Sequence, residues 1–213
     1  MKKLLALLLA TVTLITIISG CGKKDAASSA SQIKHSVDVE KLAKSGRIPE
    51  VDFVLGDPVE GVKDALFKKA SGMTYQEYCD QIKAAGHTPG KDEYSAYVIS
   101  SVSDGHTILS ANYDNYNSVY CMYSTENEKG GIAAIAVVGD AYGFTGNTLS
   151  CYVKKCISAK GTLSDSQSTL AFLPKATDGA KCLTYDFGLY KLEFYFSAYD
   201  TLAATVLYNT ELW

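Results

Sequence analysis

The sequence predicts an α+β fold in which helices pack on one face of an antiparallel sheet of about eight strands, arranged as two tandem repeats. Three observations predict it. Helical spacing occupies 57–86 and returns over 144–159, a period of two occupies 94–138 and returns from 168 onward, and turn residues separate the runs.

The elements follow in order along the chain. Met1-Lys2-Lys3 is a short basic start, and Leu4 to Ile18 carries no charge. That run falls short of the roughly 20 residues a bilayer span needs, and it has the build of an exported signal peptide. It ends in Ile18-Ser19-Gly20-Cys21, which resembles a bacterial lipobox: an aliphatic residue, two small ones, then a cysteine. The resemblance implies cleavage before Cys21 and a diacylglycerol on its thiol. Two acyl chains suffice for stable anchoring. Residues 1–20 are therefore expected to be a signal peptide and Cys21 the lipid-attachment site. The expected location is the extracytoplasmic face of a bacterial membrane.

Residues 21–49 begin with the small, polar stretch Gly22 to Ser31 and read as a flexible tether, with one short helix possible over 37–44. The 28 residues from Gly22 to Pro49 would span roughly 30 Å as a flexible chain. The first repeat is placed at 50–140 and the second at 141–213. Asp57-Pro58-Val59-Glu60 combines a capping acid, proline at the first helical position and an early glutamate. A second helix opens at Thr74, with Glu77 completing a capping box, and stops at Gly86. Four strands are expected between Tyr94 and Val138, divided by Asp104-Gly105 and Lys129-Gly130-Gly131. A helix over 144–159 follows, then strands near 168–173, 181–187, 189–197 and 202–208. The last two form the clearest hairpin, with Tyr190, Leu192, Phe194 and Phe196 facing Leu202, Ala204, Val206 and Tyr208 in apolar rows.

Composition excludes some functions. Without the first twenty residues, 18 basic side chains stand against 23 acidic ones, a balance of −5. Such a chain is a poor ligand for nucleic acid, whose binding rests on neutralising phosphates. The cysteines beyond Cys21 are Cys79, Cys121, Cys151, Cys156 and Cys182, an odd set that cannot all pair within one chain. Cys151 and Cys156 lie about 140° apart on the expected helix, so they cannot join while it stays regular. The five read as buried thiols.

The three histidines, His35, His87 and His106, show no metal-ligand spacing. Ser31-Gln32-Ile33-Lys34 fits S-x-x-K but lacks the partner motifs. Asp114-Asn115-Tyr116-Asn117 lacks the length and closing glutamate of a calcium loop. No cofactor is expected. Tyrosine is abundant, with fifteen against one tryptophan, and Tyr113, Tyr116 and Tyr120 gather in one hairpin region. Two readings fit: rings that cover the core with their hydroxyls in water, or an exposed platform for a partner.

The run Gly56-Asp57-Pro58-Val59-Glu60-Gly61-Val62-Lys63-Asp64-Ala65-Leu66 is similar to the first-helix start of small outer-membrane-assembly lipoproteins of the SmpA/OmlA kind. The duplicated arrangement over 49–213 resembles the β-lactamase-inhibitor-protein-like fold. No Thr follows Gly56 and no Gly-x-Pro closes the helix, so no functional residue carries across. The resemblance implies a domain that binds other proteins and is not an enzyme. The expectation is thus a lipid-anchored binding or scaffold module, held to the membrane by its lipid, that engages another envelope protein or a glycan. Tyr113, Tyr116 and Tyr120 are the candidate face. The alternatives are a small-ligand binder and a cysteine-dependent hydrolase using Cys121 with His106 as base.

Overall fold

The computed structural model describes residues 38–49, 51–90, 97–112, 117–139 and 161–213. The two-residue period is realised as β1 (Ile99–Ser103), β2 (His106–Asn112), β3 (Ser118–Ser124), β4 (Ala134–Val138), β5 (Thr162–Asp165), β6 (Lys181–Asp186), β7 (Tyr190–Phe196) and β8 (Leu202–Asn209). They form one antiparallel sheet in the order β1-β2-β3-β4-β8-β7-β6-β5. Each half is a four-strand meander, and the last strands of the halves meet, with Ile135 opposite Leu207 and Val137 opposite Thr205. The α+β architecture and the number of strands match the sequence reading.

The turn residues act as their chemistry requires. Asp104 and Gly105 both take positive φ, 50° and 77°, and join Ser103 to His106 in the tight hairpin that Asp-Gly favours. Thr74 accepts from the Glu77 N–H at 3.2 Å while the Glu77 carboxylate accepts from the Thr74 N–H at 2.7 Å, closing the expected capping box.

Three α-helices are described: α1 (Val39–Lys44), α2 (Val59–Ser71) and α3 (Tyr75–Ala84). α1 packs on β7 and α2 on β2. α3 leans on α2, with Tyr75 and Tyr78 set edge-on to Phe67 at 5.2 and 5.6 Å. Under the helices lies a core that joins Val39, Val62, Leu66 and Phe67 to Cys121, Ile135, Phe194 and Leu207. The other face of the sheet carries Ile108, Met122, Ala136, Tyr195, Val206 and Tyr208. Leu170, Leu173 and the half-buried Phe172 cover part of it.

A glycine contact seats α2. The Ile132 N–H donates to the Asp57 carbonyl at 3.0 Å, and the Gly56 N–H donates to the Ile132 carbonyl at 2.8 Å. A Cβ on Gly131, whose φ is +78°, would stand 2.5 Å from the Gly56 carbonyl oxygen. Only glycine permits both that backbone and that approach.

Several expectations are corrected. The end of the expected tether is core: Val39, Ala43 and Ile48 are fully buried, and α1 covers the second half of the sheet. Full burial of a valine or isoleucine stabilises by roughly 1.5–3 kcal/mol, enough to hold a six-residue helix that would not persist alone. Asp57 does not cap α2. Its carboxylate accepts from the Val54 N–H at 2.9 Å, and Pro58 occupies the cap position without a side-chain bond.

The strand expected near 168–173 is a turn-rich cover, and the pairing strand lies earlier, at β5. The apolar rows of the last hairpin do not share a face. A bulge between Tyr195 and Phe196 pairs Phe196 with Leu202 but Tyr195 with Ala204. One extra residue, Ala203, therefore sends Ala204, Val206 and Tyr208 to the side away from the helices. The signal peptide, Cys21, the helix over 144–159 with Cys151 and Cys156, and Tyr113 and Tyr116 lie outside the described residues.

Candidate functional site

Alternation on β6, β7 and β8 places a polar cluster on the sheet face opposite the helices. In register, Cys182 lies opposite Tyr195, Thr184 opposite Glu193, and Lys191 opposite Tyr208. These six residues floor a cleft of about 490 Å³. Gln167 to Leu170, Thr210 and Trp213 also line it.

Glu193 is the centre of the cluster and is only 6% exposed. Its carboxylate accepts from the Tyr195 hydroxyl at 2.6 Å and from the Lys191 ammonium at 2.6 Å. A buried carboxylate needs such partners, because unpaired burial of a charge is costly. The Lys191 ammonium also stands 5.5 Å from the centre of the Tyr208 ring. Burial holds the Tyr195 and Tyr208 phenols far above their usual range, and the neighbouring Glu193 charge adds to the shift. Both therefore stay protonated. Burial also pushes the Cys182 thiol up to about 11, and its sulfur sits 3.5 Å from the Thr184 hydroxyl.

The aromatic wall is braced from the first half of the sheet. Trp213 stacks on His106 at 4.0 Å with an 11° interplanar angle and meets Tyr208 edge-on at 5.1 Å. The covering segment is tied to the same hairpin, since the Thr169 hydroxyl donates to the Asp104 carboxylate at 2.9 Å.

The residues singled out from sequence fare differently. Tyr120 lies on the cleft-bearing face, but its ring stacks on Phe172 at 3.9 Å and is half-buried. Cys121 and His106 do not meet. Cys121 pairs with Leu109 on the helix-covered face, whereas His106 projects from the other face onto Trp213. Burial pushes the Cys121 thiol up to about 12, the reverse of what a nucleophile needs. Among the described residues, no group of three His, Cys, Asp or Glu side chains could hold a metal ion.

Sequence reasoning missed Lys191 and Glu193. Opposite charges two apart inside Tyr190-Lys191-Leu192-Glu193-Phe194-Tyr195-Phe196 were the available signal, because they must share one face of the strand. The cluster can recognise a ligand through one held carboxylate, protonated phenols, hydroxyls and an aromatic wall. It contains no thiolate.

Fold and site together define an α+β protein with a polar cleft on one sheet face. No protein-family model and no curated protein matches the chain. Among solved structures it is similar to the crystal structure of a DUF4309 family protein (YjgB) from Bacillus subtilis, at 16% identity and a TM-score of 0.42. The match covers 85% of this chain and 97% of that one. A likeness of that extent has no bearing on function.

The thiol environments make a testable prediction. In the folded protein at pH 8, iodoacetamide should leave Cys121 and Cys182 unmodified over a time in which the half-buried Cys79 reacts, and both should label once the chain is unfolded. Peptide mapping after timed labelling checks this, and rapid labelling of folded Cys121 would contradict it. The pH dependence has a definite sign. A folded-state pKa raised from 9.0 to about 12 stabilises fully below about pH 9 and less and less as pH rises toward 12. The denaturation midpoint should therefore fall across that window.

Proposed function

We propose that the chain is an exported, lipid-anchored binding module whose ligand site is the cleft around Glu193. The observation that carries this reading is the convergence of a buried, paired carboxylate, two protonated phenols and a braced indole on one open cavity. A concave site with a few convergent polar groups is where small ligands bind. The neutral thiols and the separation of Cys121 from His106 favour recognition over nucleophilic chemistry. The first twenty-one residues support the anchor, because a basic start, an apolar run and Ile18-Ser19-Gly20-Cys21 stand in the order that lipid attachment requires. Among the described residues, no helix is long and apolar enough to cross a membrane.

Two experiments test the two parts. For the anchor, cells given labelled palmitate should place the label on the wild-type chain and keep that chain in the membrane fraction. Cys21→Ala should lose both, and label retained on that variant would contradict the lipid site. For the cleft, Thr184→Trp places an indole on its floor. Compounds from a diverse small-molecule screen that raise the melting temperature of the wild type should not raise that of the variant, with its own unliganded midpoint as the folding control. Equal stabilisation of both chains, or no stabilising compound at all, would count against the cleft as the site.

A further inference from the structure

Resting on the cleft as the ligand site, we infer that it takes a neutral, polyhydroxylated ligand, namely a saccharide of one or two rings. Charge is the first ground. Among the described residues, Lys191 and Glu193 are the only lining side chains charged at neutral pH, and they pair at 2.6 Å. A carboxylate or phosphate ligand on Lys191 would set a second negative charge beside Glu193, and an amine would compete with Lys191 for the one carboxylate. Either crowds like charges at a site where Glu193 is almost wholly buried. A ligand without charge leaves the pair intact and can still bond the carboxylate where it lines the cleft.

The remaining polar groups match hydroxyls rather than ions. Thr169 and Thr210 spend their protons on the Asp104 carboxylate and the Gly188 carbonyl, at 2.9 and 2.8 Å, and so turn acceptor lone pairs to other partners. Thr184 and Ser164 add hydroxyls that both donate and accept. Sugar hydroxyls have the same dual capacity, which suits a lining of mixed donors and acceptors. The wall supplies the apolar half of the match. Trp213 is 42% exposed and is held flat by His106 behind it, a fixed aromatic surface of the kind on which the C–H face of a pyranose packs. The volume, about 490 Å³, lies in the range of small-molecule sites, roughly 300–1,000 Å³.

The chain reports on its own cleft, because Trp213 is its one tryptophan. Emission of the purified chain is followed during titration with glucose, N-acetylglucosamine, cellobiose and chitobiose, and separately with glutamate, choline and inorganic phosphate. At least one sugar should give a saturable change that is insensitive to added salt, weakened about tenfold or more by Glu193→Gln and about threefold by Thr184→Val. Thr184→Val guards against a folding defect, since it keeps the shape of the side chain. Co-sedimentation with purified peptidoglycan separates a polymer-bound sugar from a free one: pelleting that is lost in Glu193→Gln assigns the saccharide to the wall glycan. A response to a charged probe that is lost in Glu193→Gln, with none to sugars or peptidoglycan, overturns the ligand class and leaves the cleft as the site. Sugar responses of equal strength in wild type and both variants overturn the cleft itself. No response to any probe and no pelleting overturn both.

Discussion

The pairing of β4 with β8 is the interaction on which the rest of the structure depends. Each meander alone would end in an unpaired edge made of apolar residues, a surface prone to association. Joined, the two edges become the centre of the sheet. Ala134, Ile135, Ala136, Val206 and Leu207 are all fully buried there. β4 is covered on both faces, which is why Ala134–Val138 reads as a continuous apolar run and not as an alternation. The exposed strands β1 and β5 are left at the two outer edges, where their serine, threonine and aspartate side chains are tolerated.

The same junction sets the position of the cleft. The extra residue at Ala203 reverses the facing of the rest of β8, so that Tyr208 stands beside Lys191 and not under the helices. The Ala203 carbonyl is not left orphaned by the bulge, since it accepts from the Gly139 N–H at 2.8 Å at the end of β4. Trp213, just beyond β8, then reaches His106 on β2 and ties the second meander to the first across the sheet. The aromatic wall is thus built from both halves although the floor belongs to one.

Local chemistry was legible where one or two residues decide the backbone. Asp104-Gly105 can serve a tight hairpin, and Thr74 with Glu77 can close a cap, whatever surrounds them. Features settled by tertiary packing were hidden. α1 has one turn and a half of sequence with two buried residues, so 37–44 reads only as a possible short helix within a tether until the sheet is beneath it. β5 is exposed at all four positions and shows no apolar alternation, while Leu170 and Leu173 mimic a strand and act as a lid over the sheet. The bulge left no signature, because Leu202, Ala204, Val206 and Tyr208 form an unbroken row in the sequence. The site followed from the bulge and from the partners of Glu193, so it stayed hidden with them.

The two meanders fold as one body through β4 and β8. Native-state hydrogen exchange tests it most directly. Amides of Ile135 to Val137 and of Thr205 to Leu207 should form the slowest class and open at a single free energy equal to that of global unfolding, with β3 and β7 close behind. Two separate opening energies, one for β1 to β4 and another for β5 to β8, with the β4–β8 amides released along with the weaker half, would contradict it.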